Sequence, residues 1–359
     1  MAYRTLDDRD VLRQARADPE GLLDDLGGGG VIDEAQRAPE LFLGIKAIVD
    51  REQRPGRYLL SGSSQPQMKR GVGDSLLGRA AYRTLHPLTL SELRYDEVHR
   101  GWDFLFGDER DILRELEERA TASGALDWQA VVKTGGFPRA VNAPLESQRR
   151  LLNDYVEVFA NKDIREVLTL ESSARFEQFL RLVGTRTGQE LNSNGLSTDL
   201  GTPVTTIRRW IEALERSYLI QLVQPYSRNA AQRVIKSPKI FMVDSGLALA
   251  AARETEPTGF HLENLVANDL AVWTQGAPGR AVYHWRLSSG QKVDFTLELN
   301  GMVVPVEVKA ASDVSSGDAR HLRTFCERYD ARRGVLLSCD DEIRVLTRGI
   351  VAAPWWAIL

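Results

Sequence analysis

Cysteine is nearly missing: Cys326 and Cys339 are the only two in 359 residues. Two cannot build a disulfide framework, and without a CxxC pair a thiolate zinc site is excluded. Both thiols read as ordinary buried or half-buried side chains, which suits a reducing cytoplasm. No apolar run approaches the ~18 residues of a membrane span, and residues 1–10 are polar and acidic, unlike a secretory leader. A cytoplasmic protein without a membrane partner is expected. The five histidines show no HxxxH or HExxH spacing and read as structural or surface groups. Neither sign of charge dominates: 46 basic residues against 50 acidic give a net charge of −4. That argues against attraction of the whole chain to nucleic acid and directs attention to segments. Also missing is any Gly-Lys dipeptide, and with it the GxxxxGK[ST] loop that cradles nucleotide phosphates. The glycine run at 27–30 has no following lysine and precedes a strand, so it reads as a turn.

What is present divides into three segments of ordinary domain size. Residues 1–124 alternate strand and helix patterns, as α/β material does. Residues 125–258 are mainly helical and open on the break Gly135-Gly136-Phe137-Pro138. Residues 259–359 read in the order α-β-β-β-α-β. Trp102, Trp128 and Trp210 lie in helical contexts and are expected in the core, and Trp355-Trp356 reads as packing.

The third segment carries the sharpest local pattern. Residues 291–299 and 302–309 both alternate apolar and polar, and Asn300-Gly301 between them is a type I′ hairpin signal. A two-residue turn there pairs Leu299 with Met302 and, counting outward, Thr296 with Pro305 and Asp294 with Glu307. Facing Cβ atoms lie about 5 Å apart. Residues two apart on a strand share a face, so Lys309 joins Glu307 and Asp294. Two facing carboxylates destabilise a sheet unless a cation sits between them, as Mg²⁺ does with one or two carboxylates. The alternative is a solvated face with the ion pairs Asp294–Lys292 and Glu307–Lys309.

Asp294, then Glu307-Val308-Lys309, after a helix carrying Glu263 and within the α-β-β-β-α-β order, resembles the PD-(D/E)xK nuclease superfamily. The resemblance implies Mg²⁺ held by Asp294 and Glu307, a lysine at 309 assisting the nucleophile, and Glu263 completing a catalytic set.

In the middle segment, residues 196–200, the turn Gly201-Thr202 and residues 203–217 read as a helix-turn-helix within a winged unit of about 192–225. Thr202 suits an N-cap and Pro203 the first helical turn. Thr205, Thr206, Arg208 and Arg209 lie where a recognition helix meets bases and phosphates. From 202 to 240 seven basic residues stand against two acidic ones, so DNA is the expected partner. The alternative is a packing module with a solvated basic face.

In the first segment Val31-Ile32-Asp33-Glu34 has the form of a Walker B element, in which the Asp holds Mg²⁺ and the Glu polarises water. The wider text, Asp33-Glu34-Ala35-Gln36-Arg37-Ala38-Pro39, Leu60-Ser61-Gly62-Ser63-Ser64, Leu77-Gly78-Arg79, Gly135-Gly136-Phe137-Pro138, Lys236-Ser237-Pro238-Lys239 and Asp244-Ser245-Gly246-Leu247, resembles a family of prokaryotic AAA-type ATPases with a C-terminal domain of unknown function related to nuclease folds. The resemblance covers nearly the whole chain from Tyr3. It implies ATP and Mg²⁺ as cofactors, Walker B roles for Asp33 and Glu34, a sensor-like turn including Ser61 and Ser63, an arginine finger at Arg79, and homo-oligomers formed through the AAA-like domain. Members of that family begin with a P-loop strand and helix. The residues of this chain contain no such loop, so an incomplete AAA-type α/β domain and no appreciable ATP hydrolysis are expected of it.

The combined expectation is an α/β chain with an incomplete P-loop-type domain, a winged-helix middle and a nuclease-like C-terminal domain. Its function would be that of a DNA-associated protein with a candidate Mg²⁺-dependent endonuclease site. The competing expectation is a non-enzymatic DNA-binding or regulatory protein that keeps both folds without their chemistry.

Overall fold

The computed structural model describes residues 2–62, 76, 78–94, 101–164, 168, 173–229 and 237–359. The chain forms two compact units, Met1–Thr84 with Glu212–Tyr218, and Leu85–Ile211 with Leu219–Leu359.

The first unit holds strands β1 (Ala2–Thr5), β2 (Gly30–Asp33) and β3 (Tyr58–Leu60), all parallel and in that spatial order. Parallel neighbours need crossovers. Helices α1 (Arg9–Ala17) and α2 (Pro19–Asp25) make the first, and α3 (Leu41–Glu52) makes the second. Local chemistry sets their starts. The Asp8 carboxylate accepts from the amides of Asp10 and Val11, and Asp18 accepts from Gly21 with Pro19 in the first turn. Gly30 has no substitute, because a Cβ there would stand 2.7 Å from the Ala2 carbonyl oxygen. Leu41, Phe42 and Ile45 of α3 join Ile32 and Leu6 in the core of this unit. Because the strands run parallel, Asp33 and Ser61 emerge at the same edge, the carboxyl end where α/β sheets place ligands.

The second unit is a mixed sheet with helices around it. Its longer helices are α4 (Glu109–Ser123), α5 (Trp128–Thr134), α6 (Leu145–Val158), α7 (Ser173–Thr185), α8 (Ser193–Leu200), α9 (Val204–Arg216, whose C-terminal residues count with the first unit), α10 (Ser245–Ala252), α11 (Gly259–Gly276) and α12 (Arg320–Tyr329). Its strands are β4 (Gln189–Glu190), β5 (Ile220–Pro225), β6 (Lys239–Met242), β7 (Arg280–Arg286), β8 (Lys292–Leu299), β9 (Met302–Val308), β10 (Gly334–Ser338), β11 (Arg344–Thr347) and β12 (Ile350–Pro354). The sheet order is β11-β12-β10-β9-β8-β7-β5-β6-β4. A short parallel pairing, Gln224 with Tyr283 and Pro225 with His284, joins the strands of the middle segment to those of the last. The two segments therefore share one sheet and one core. α11 contributes Leu262 and Val266 to the cluster that holds Val335 and Leu337. α12 contributes Leu322 and Phe325 to the cluster that holds Leu336. Alternate residues of β10 thus point to opposite helices, the buried-on-both-sides pattern of an α/β sheet.

The order α-β-β-β-α-β is found from α11 to β10, and the hairpin β11–β12 follows it as an addition. Asn300 and Gly301 both have positive φ, 50° and 85°, as a type I′ turn requires. The ladder runs from Leu299–Met302 through Thr296–Pro305 to Phe295–Val306 and stops one step short of Asp294 and Glu307. On its other side β8 carries a bulge: from Tyr283 to Trp285, β7 advances two residues while β8 advances three, from Thr296 to Val293. Asp294 and Phe295 together oppose His284. Such a bulge re-aims side chains, and here Val293 packs with Trp285 and Phe325 while Phe295 packs with Phe241 and Leu262.

Two of the glycine-containing motifs interlock. Asp244 caps α10 by accepting from the Leu247 amide at 2.8 Å and also accepts from the Gly136 amide at 2.6 Å. Gly135 (φ +66°) approaches so closely that a Cβ would stand 2.3 Å from the Asp244 carboxylate, and one at Gly136 would stand 2.2 Å from the Leu88 carbonyl oxygen. The close approaches explain why glycine stands at 135 and 136, and the two amide bonds why an acid stands at 244.

Candidate functional site

The C-terminal carboxylates meet inside the second unit. Asp294 and Glu307 are each 1% exposed and Glu263, from the first half of α11, is 6% exposed. Lys239, which opens β6, is 6% exposed and sits among them. Its Nζ donates to Asp294 Oδ1 at 2.9 Å and to Glu263 Oε2 at 3.0 Å. The other Asp294 oxygen accepts from the Val308 amide at 3.1 Å. Lys292 Nζ lies 3.7 Å from Asp294 Oδ1 and Lys309 Nζ donates to Glu307 Oε1 at 3.0 Å. Glu307 Oε2 is buried with no hydrogen-bond partner. Both ion pairs of the alternative sequence reading are therefore present, but on a buried face rather than a solvated one. Among the described residues no group of three or more His, Cys, Asp or Glu side chains is arranged to hold a metal ion.

The electrostatics follow from burial and from which carboxylate is nearest the lysines. Burial opposes ionisation of Asp294, yet Lys239 and Lys292 outweigh it and hold that carboxyl below the usual range. Asp294 is the ionised member. Burial, and then the Asp294 charge, push Glu263 and Glu307 each up to about 7. Burial works against the Lys239 ammonium, but Asp294 and Glu263 more than compensate and raise its affinity for the proton. His284 is buried beside this cluster and has no acidic hydrogen-bond partner among the described residues. Its Nε2 meets the Ser237 carbonyl at 3.1 Å, and burial followed by the Lys239 charge drives it down to about 4.

Lys239 is not among the candidate site residues drawn from the sequence, where it counts toward the basic segment 202–240 and closes the motif Lys236-Ser237-Pro238-Lys239 without a role of its own. The usable signal was a lysine opening an otherwise apolar strand, Lys239-Ile240-Phe241-Met242, all four of which are buried. The basic count needs a further correction. Arg216 pairs with Glu212, and Arg228 donates to the Tyr329 carbonyl, while Arg233 and Lys236 lie outside the described residues. What remains on α9 is Arg208 and Arg209, both exposed, with no hydrogen bond or ion pair to another side chain among the described residues. Thr205 is exposed and Thr206 half-buried on the same first turns. Ile207 and Trp210 are buried, and Trp210 meets Phe176 and Phe179 of α7 at ring distances of 5.4 and 5.2 Å.

In the first unit, Asp33 accepts from the Ser61 hydroxyl and from the Tyr3 hydroxyl, the latter at 2.9 Å. The Ser61 bond, despite partial desolvation and with help from Tyr3, keeps the carboxyl below its ordinary range. Glu34 follows in the left-handed region (φ 56°), a conformation that costs a non-glycine residue energy and recurs at functional turns, and Gln36 donates to its carboxylate. Arg79 is bidentate to Asp50 on the surface. Ser63 lies outside the described residues.

Three family models match the chain. Residues 1–94 match a family described as an AAA domain. Residues 126–258 and 258–358 match two domains of unknown function, DUF8612 and DUF4143. An AAA-type ATPase-like family is what these matches support. The chain is 27% identical over 348 residues to uncharacterized proteins of Mycobacterium tuberculosis and Mycobacterium bovis, covering 94% of this chain and 71% of each relative. The crystal structure of protein VC1899 from Vibrio cholerae aligns over 90% of this chain and 86% of that one, at 12% identity and a TM-score of 0.21, too low to carry an argument. In the ATPase-like unit, Asp33 sits at the carboxyl end of a parallel strand with its charge retained at neutral pH. No helix of the described residues is long and apolar enough to cross a membrane.

Proposed function

We propose that this ATPase-like chain is a DNA-associated protein that docks duplex DNA on α9. The observation that carries the reading is the exposed pair Arg208 and Arg209 on the first turns of that helix, neither with a side-chain partner among the described residues. The surrounding order supports it: α7, β4, α8, α9, β5, β6 with the three strands in the sheet order β5-β6-β4 is the sequence of a winged helix-turn-helix. The turn between α8 and α9 is tight, with Gly201 in the left-handed region and the Ser197 hydroxyl donating to the Thr202 carbonyl at 2.6 Å. Trp210 against α7 fixes the helix from behind, so the arginines project from a rigid support.

Fluorescence anisotropy with a labelled duplex tests this. Binding should weaken with salt, because each phosphate contact releases a counterion and adds about 0.9 to the slope of log affinity against log salt. Arg208→Ala with Arg209→Ala should lower that slope by about 2 and weaken binding at every sequence alike. Absence of binding at low salt removes the proposal.

Nucleotide belongs to the same reading. Asp33, ionised and bonded to Ser61, is the side chain that would hold the magnesium of a bound nucleotide, which supplies charge neutralisation of its phosphates. At the C-terminal site the residues do not fit magnesium. Both oxygens of Asp294 are engaged, and three lysines already balance Asp294, Glu263 and Glu307 at full ionisation. No cleavage step is derived there. Plasmid incubated with Mg²⁺ or Mn²⁺ should show the same background nicking with the native chain and with Asp294→Ala. Nicking that depends on Asp294 would return a metal to this site.

A further inference from the structure

The disagreement between the carboxylate set and a divalent metal has a specific cause. A magnesium site draws two or more carboxylate oxygens toward one point, with water completing the shell. Asp294 Oδ1 and Glu263 Oε2 do converge on one point, and the atom at that point is Lys239 Nζ, at 2.9 and 3.0 Å. The ammonium is delivered by β6, three places along the sheet from β8, and is held over the site by the stacking of Phe241 on Phe295 at 5.6 Å. Its position is therefore a product of the fold and not of a free surface side chain. We infer that Lys239 is a built-in cation standing where a divalent ion would bind, so that the acidic site is closed to magnesium while this lysine is present.

Two independent features set the direction of the inference. Glu307 Oε2 is buried and unpartnered next to Asp294, an acceptor that a cation would satisfy and that the lysines leave over. Even at full ionisation the three carboxylates are matched by Lys239, Lys292 and Lys309, and a proton on Glu263 or Glu307 leaves the set with positive charge in excess. A divalent ion added to that set would leave uncompensated positive charge in a buried place, which is costly. Entry of the metal therefore requires removal of Lys239, and removal of Lys239 creates the site.

Titration with Mn²⁺, followed by the electron paramagnetic resonance signal of the free ion, decides it. The native chain should show no uptake that Asp294→Asn abolishes; that control separates this site from Asp33 in the other unit. The variant Lys239→Met leaves three carboxylates against two lysines and keeps both converging oxygens, so a divalent ion is the missing countercharge. It should take up Mn²⁺ at least tenfold more tightly than the native chain, and adding Asp294→Asn should abolish the gain. A Lys239→Met chain that folds, by circular dichroism, and binds no better than the native chain overturns the inference. So does saturable uptake by the native chain that depends on Asp294, a result that needs no lysine variant to fold.

Discussion

Glu307 is the residue whose chemistry is least settled by its neighbours, since one oxygen meets Lys309 and the other meets nothing. Its carboxyl is pushed up to about 7 in the folded chain from an ordinary value near 4.5. A carboxyl with a raised folded value binds more protons folded than unfolded between those two pH values, so its contribution to stability falls as pH rises from about 4.5 to about 7. Glu307→Gln deletes that slope. Relative to the native chain, the variant should gain stability between pH 5 and pH 8, on the order of 1–3 kcal/mol for a shift of this size. Urea melts at the two pH values measure it, and a difference that does not change with pH refutes the assignment. Two buried histidines act with the opposite sign. His261 and His284 are each driven down to about 4, chiefly by burial, so their contribution is lost as pH falls from about 6.5 toward 4. The native profile between pH 5 and 6.5 is thus a balance, and only the comparison with the Gln variant isolates the glutamate.

At the scale of elements, α10 depends on one carboxylate. Asp244 is fully buried, caps the helix and receives the Gly136 amide, while burial raises it to about 6. Asp244→Ala should destabilise by about 2–4 kcal/mol, from a lost cap together with a buried amide left without its acceptor. Asp244→Asn keeps one of the two acceptor oxygens and turns an NH2 toward the other amide, so it should recover only part of the loss in the same thermal melt. This dependence was not legible in the motif Asp244-Ser245-Gly246-Leu247 itself, which gives a cap but not its partner 108 residues earlier. The hairpin was legible, because Asn300-Gly301 demands a turn with positive φ and that turn fixes the register out to Phe295 and Val306. The bulge was not, because an extra residue in β8 is specified by β7 across the sheet and leaves no mark in the alternation of residues 291–299. Lys239 was missed for the same reason: a lysine's partners are long-range, and composition counts it as surface charge.

For the molecule as a whole, the sequence segments 125–258 and 259–359 are not separate in space within the second unit. β5 and β6 complete the sheet begun by β7, and Phe241 fills the core that Phe295 opens. Residues 259–359 expressed alone would expose that core and bury Asp294 and Glu263 without Lys239. The fragment should lack cooperative unfolding and bind hydrophobic dye, whereas residues 85–359 retain the complete sheet. A sharp, two-state melt of 259–359 would contradict this. Net charge of −4 gives no hint of such a junction, nor of a local basic helix. Both come from where the fold puts particular charges.

The bulge in β8 also changes how the strand can be counted. Before it, odd-numbered Val293 faces α12; after it, odd-numbered Phe295 faces α11. The strand switches parity at Asp294, so no single frame of alternation describes both halves. Removing one residue at that point would restore one frame and trade the inner and outer sets on one half of the strand. The acid is the residue on which the switch turns, and its place is guarded by two hydrophobic cores that each need their own frame.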